Sequence, residues 1–155
     1  MLSEKYGFVL YVKKVNKSKN KWYNLYEERI IVGMTYKVLC QCGYNKELNL
    51  RCGLSSCNVN LVNKVFSKDE LEEFNKRLSG NEIKNFIMEN VAVICDNCNE
   101  IQQATKLNAK LKSGEDIELI TKCSICHEDV TILKDKYICP VCRKDMKLET
   151  TGFWD

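Results

Sequence analysis

Eight of the ten cysteines in this chain fall into four close pairs: Cys40/Cys42, Cys95/Cys98, Cys123/Cys126 and Cys139/Cys142. At this spacing one turn of backbone can point two thiolates at a single ion. Four thiolates make the closed tetrahedral cage that zinc takes in structural sites. The eight sulfurs therefore predict two metal cages. Cys123-Ser-Ile-Cys126 is followed thirteen residues later by Cys139-Pro-Val-Cys142, and these four are expected to close one cage as a zinc ribbon around the short excursion from Val130 to Ile138. Cys40 and Cys42 would then join Cys95 and Cys98 in the other. Cys52 and Cys57 form a Cys-x4-Cys pair, also within metal spacing, and are alternative partners for Cys95 and Cys98.

A disulfide framework is the rival use of so many cysteines. Met1 to Val15 lacks the long apolar stretch and small-residue cleavage site of a secretory signal, because Ser3, Glu4, Lys5, Lys13 and Lys14 flank the only apolar run. No stretch has the roughly 18 apolar residues of a membrane span. A cytoplasmic location follows as the expectation, and reduced, clustered thiols there favour metal over bridges.

The same residues argue against catalysis. A catalytic zinc keeps an open position, usually with histidine or carboxylate ligands, whereas a four-cysteine site is closed. No serine nucleophile motif, Walker pattern or phosphate-binding glycine loop occurs, and no small-molecule substrate is evident. His127, the one histidine, completes Cys-Ser-Ile-Cys-His, a haem-attachment pattern that would need export and would orphan Cys139 and Cys142. It is read as an exposed knuckle residue. A thioredoxin-like pair would need a βαβ context. A rubredoxin-like iron carrier is the stronger redox alternative, because four sulfurs hold iron or zinc.

The elements that must position these sulfurs are small. Apolar residues are dispersed between cysteine pairs, so the expected class is a small, metal-stapled α+β fold whose metal-binding free energy is folding free energy. Residues 1–39 form a β-rich extension, with Tyr6 to Val15 and Tyr23 to Leu39 separated by a turn over Asn16 to Asn20. Residues 40–108 form the first ribbon, with a helical insertion over about 66–90. Ser67 and Glu70 make a capping box, Leu71, Phe74 and Leu78 share a face, and Ser79-Gly80-Asn81 ends the helix. A second short helix is expected through Ile83, Phe86 and Ile87. Residues 109–155 form the second ribbon. Leu107, Ala109 and Leu111 alternate with polar residues, Ser113 to Asp116 turn, and Ile117 and Leu119 return toward Cys123.

Cys42-Gly43-Tyr44 with Lys46-Glu47-Leu48, the later Cys-x2-Cys, the hairpin, the second ribbon and the terminal Gly152-Phe153-Trp154-Asp155 together resemble a family of small bacterial double zinc-ribbon proteins. The resemblance covers residues 34–155 and brings no established activity. The family's opening knuckle is similar to Cys-x2-Cys-Gly-Tyr. That implies a ligand role for Cys42 and a partner position at Leu39, where this chain instead offers Cys40, one residue late. The resemblance implies that Cys52 is a substitution in a tight turn, which favours Cys40 and Cys42 as the ligands. It leaves residues 1–33 outside the shared region, making Met34 an alternative start.

Residues 1–39 contain eight Lys or Arg and three Asp or Glu, a net +5, while the remaining sixteen basic and eighteen acidic residues give −2. Zinc in two thiolate cages would take a further four charges off the second part. Lys106, Lys110 and Lys112, and Arg143, Lys144 and Lys147, are read as solvated faces with acids nearby. A protein is the expected partner of this acidic core. Nucleic acid is the alternative, bound through Lys13, Lys14, Lys17, Lys19, Lys21 and Trp22.

Overall fold

The computed structural model describes residues 33–51 and 59–154. The expected N-terminal hairpin, the basic run from Lys13 to Trp22, and Cys52 and Cys57 all lie outside the described residues. Among the described residues, seven strands and two helices follow in the order β1 (Gly33–Leu39), β2 (Asn45–Leu50), α1 (Val59–Val65), α2 (Lys68–Leu78), β3 (Ile83–Cys95), β4 (Glu100–Leu111), β5 (Asp116–Ile120), β6 (Thr131–Ile132) and β7 (Lys147–Trp154). They form a three-stranded sheet ordered β2-β1-β7 and a four-stranded sheet ordered β5-β4-β3-β6. The expected α+β class holds, with more sheet and less helix than the sequence implies.

β3 and β4 are the backbone of the molecule, paired antiparallel from Ile83↔Leu111 to Cys95↔Glu100. Leu107, Ala109 and Leu111 are buried, as their alternation requires, and β5 returns with Ile117 opposite Ala109 and Leu119 opposite Leu107. The expected second helix through Ile83, Phe86 and Ile87 is instead the first half of β3. The three-residue step from Ile83 to Phe86 imitates a helical period because a β-bulge lies between Ile83 and Asn85. The extra residue, Lys84, shifts the side-chain parity, so Ile83 and Phe86 both pack on the same core cluster.

That cluster is closed by the helices: Val62 and Phe66 at the first helix, and Leu71 and Phe74 of α2, meet Met88, Leu107, Ala109, Leu111 and Ile117. The capping box forms as expected. Glu70 N donates to Ser67 Oγ at 3.3 Å and Ser67 N donates to Glu70 Oε2 at 2.7 Å. Ser79 ends the helix in the left-handed region, φ 47°.

A second cluster joins the sheets, with Tyr36 and Val38 of β1 and Leu48 and Leu50 of β2 against Ala92 and Ile101. Alternation along β3 and β4 places Ala92 and Ile101 on the same face as Met88 and Leu107. The small sheet and the helices therefore lie side by side on one face. Arg51 ties the sheets together through paired backbone bonds with Asn90, 2.8 and 2.9 Å. None of the described helices is long and apolar enough to cross a membrane.

Candidate metal centres

Each cysteine pair sits in a tight reversal of the chain. Cys40 and Cys42 occupy the β1–β2 turn, and Cys95 and Cys98 the β3–β4 turn. Cys123 and Cys126 lie in the loop after β5, and Cys139 and Cys142 in the loop before β7. All four turns share one backbone feature. The residue after each second cysteine is left-handed: Gly43 at φ 93°, Asn99 at 53°, His127 at 61° and Arg143 at 63°. The amide of that residue returns to the first cysteine's carbonyl in three turns, Gly43 to Cys40 (3.0 Å), His127 to Cys123 (3.0 Å) and Arg143 to Cys139 (2.9 Å). The same three first cysteines donate their own N–H onward, to the carbonyls of Tyr44, Glu128 and Lys144. His127 thus serves as a turn residue, and its ring belongs to neither sulfur cluster.

The sulfurs converge into two groups, with all four atoms of each group lying within 4.8 Å of one another. The inner group is Cys95, Cys98, Cys123 and Cys126, and the outer is Cys40, Cys42, Cys139 and Cys142. All eight of these cysteines fall in the two groups, but the partnering differs from the expected one: the pairs nest, second with third and first with last. The reason lies between Cys126 and Cys139. Thr131 and Ile132 pair with β3, and Leu133 N donates to Ala92 O at 2.9 Å, carrying the chain away from the inner cage. β7 then pairs with β1 from Leu39↔Lys147 to Gly33↔Trp154, which brings Cys139 and Cys142 beside Cys40 and Cys42. Short spacing in the chain yields here to a long-range strand pairing.

The sulfur separations identify the chemistry. Cys40 to Cys142 is 3.3 Å, Cys42 to Cys139 3.6 Å, Cys95 to Cys126 3.5 Å and Cys98 to Cys123 3.8 Å. A disulfide would need about 2.05 Å. A tetrahedron with metal–sulfur bonds of about 2.3 Å has edges of about 3.8 Å. Two edges of each group come close to that size and the rest lie within 4.8 Å, so either group could hold a metal ion, and a cage of four thiolates leaves no coordination position open.

Charge is managed unequally within each group. Cys123 is drawn down to about 6, chiefly by the Cys126 amide against the opposing effect of burial, with help from the Ile125 amide and the Gln102 side chain. Gln102 Nε2 donates to Cys123 Sγ at 3.1 Å and Ile125 N at 3.4 Å. Cys126 is lowered too, first by the Asn97 side chain. At Cys139 burial pushes upward but the Cys142 and Val141 amides win, leaving it at about 7. Cys40, Cys95 and Cys98 go the other way. Cys98 is pushed up to about 12 by its neighbour Cys126 and by burial. Cys40 reaches about 12 because burial and the surrounding thiols outweigh the Cys42 amide. Crowded thiols without a cation cannot all ionise; a divalent ion at the centre reverses that.

Residues outside the cysteines hold the cages in place, and sequence reasoning missed them. Gln102 Oε1 accepts from Ser124 N (3.0 Å) and Ser124 Oγ (2.8 Å), fixing the loop that carries Cys123. Glu70 of the capping box accepts at Oε1 from Lys122 N, 3.0 Å, one residue before Cys123. Asn99 Nδ2 donates to Pro140 O at 2.8 Å. Tyr44 OH donates to Glu100 Oε2 at 2.9 Å and accepts from Ile101 N at 3.1 Å, while Lys46 pairs with the same carboxylate at 2.9 Å. An asparagine directly after a second cysteine was the one local signal, since asparagine tolerates the left-handed turn. Comparison with known protein families, characterised proteins and solved structures produced no match to this chain.

Proposed function

We propose that this chain is a non-catalytic, cytoplasmic zinc protein in which two zinc ions staple a small fold that presents a rigid surface to a macromolecular partner. The observation that carries the reading is the pair of four-sulfur groups, each with all its sulfurs within 4.8 Å of one another and two of the separations at 3.3–3.8 Å. Closed cages of this kind contribute folding free energy and expose no Lewis-acid position to a substrate. The reading agrees with the double zinc-ribbon family that Cys42-Gly43-Tyr44 and the terminal Gly152-Phe153-Trp154-Asp155 resemble.

A protein is the favoured partner class. Ile125 and Val141, the third residues of the two loop knuckles, are 63% and 69% exposed, apolar surface of the kind a protein partner covers. Lys106 is paired with Glu118 at 2.8 Å and Lys112 with Glu82, which weakens the case for a phosphate-binding strand face. Binding of nucleic acid through Lys13 to Trp22 is the second reading. An iron-loaded, rubredoxin-like carrier is the third, supported by the N–H bonds to Cys123 that would tune a bound iron.

Native mass spectrometry of untagged protein from its own cells tests this directly. Two zinc ions with every cage thiol reduced is the expected result. Red, iron-loaded protein, or metal-free protein with disulfides, would overturn it.

A further inference from the structure

The two cages reach into one another. Asn99 follows the inner ligand Cys98, yet its side chain holds Pro140 O, which lies between the outer ligands Cys139 and Cys142. In the opposite direction, Tyr44 stands two residues after the outer ligand Cys42. Its hydroxyl is fixed by Glu100 and by the amide of Ile101, at the start of the strand that leaves the inner turn. Each turn must therefore be correctly formed for the other's bridge to exist. The rest of the outer cage leans on the same foundation, because β1 and β2 bury Tyr36, Val38, Leu48 and Leu50 against Ala92 and Ile101 of β3 and β4.

The cages are not equivalent. The inner one is built from a continuous hairpin and the loop after β5, and two of its sulfurs, Cys95 and Cys123, are buried. The outer one must close the much longer loop from Cys42 to Cys139, which costs more chain entropy. It holds Cys42, the one exposed cysteine among the described residues.

We infer that the two metal sites are energetically coupled and fill in order: the inner cage loads first and, through Asn99 and Tyr44, raises the outer cage's affinity. This deepens the zinc reading and rests on it. Coupling between binding sites is reciprocal, so the outer metal tightens the inner one by the same factor.

The test is a stepwise cobalt and zinc titration of the full-length, reduced, metal-free chain in competition with a chelator. Native mass spectrometry counts metals, and pulsed alkylation identifies which thiols each metal protects. In the unaltered chain the first metal is expected to protect Cys95, Cys98, Cys123 and Cys126. Asn99→Gly keeps the left-handed turn without the amide, and Tyr44→Phe keeps the ring without the hydroxyl. Both variants retain all eight ligands and are expected to weaken the second metal by about fivefold or more while leaving the first unchanged. A purely structural role would weaken the outer cage by the same factor in a Cys95→Ser/Cys123→Ser background, whose inner cage cannot fill. That result, unchanged affinities in both variants, or first protection of the outer thiols would overturn the coupling. An unaltered chain that fails to take two metals would instead overturn the zinc reading itself.

Discussion

At the scale of single residues, the cages are defined as much by what donates to sulfur as by sulfur itself. Gln102 is the clearest case, donating to Cys123 and accepting twice from Ser124. Gln102→Leu should loosen the inner metal by about 10–100-fold, the usual cost of losing an outer-shell partner, as read by chelator competition. Proton release sets a second expectation. Cys123 at about 6 and Cys139 at about 7 are the first thiolates available, whereas Cys40 and Cys98, near 12, surrender protons only to the metal. Every displaced proton makes affinity rise with pH and fall on acidification. Affinity for a divalent metal should fall as the pH is lowered, and more steeply once Cys139 and then Cys123 are also protonated in the metal-free chain, measurable by chelator competition at a series of pH values. The eight cysteines that cluster were legible in the sequence because close cysteine pairs have few other uses. Gln102 was not, since a glutamine in an alternating strand carries no mark of what it faces.

At the scale of elements, the helix is a brace for the inner cage. Its capping glutamate, Glu70, also holds Lys122 N beside Cys123, so one side chain joins helix start to metal loop. Phe74, 1% exposed at the centre of the helical cluster, anchors that brace. Phe74→Ala should cost about 3–5 kcal/mol, seen as a lowered midpoint in denaturant with metal present. The capping box, the helix end and the β4–β5 hairpin were all readable, because each is written within a few neighbouring residues. The first half of β3 was not. A single bulge at Lys84 gave Ile83 and Phe86 a helical spacing, and only the partner strand reveals the true period.

At the scale of the whole molecule, the nested closure makes distant parts of the chain depend on one another. β7 completes the sheet around β1 and holds the outer knuckle in place. Removing residues 147–155 should therefore cost one metal and leave the inner cage filled, a stoichiometry that elemental analysis can count. If both metals were lost, the inner cage would not be self-sufficient. The pairing of first with last cysteines was beyond sequence reasoning, because strand pairing across a hundred residues leaves no periodic trace, whereas nearness in the chain argues for the wrong partner. The same nesting gives the protein a timetable during synthesis. Cys126 is added to the chain before Cys139 and Cys142, so at about 5–20 residues per second the inner set of cysteines is complete about one to three seconds ahead of the outer set. Throughout translation Cys40 and Cys42 wait without their partners, which makes the nascent chain, rather than the finished protein, the form most open to oxidation or capture of the wrong metal.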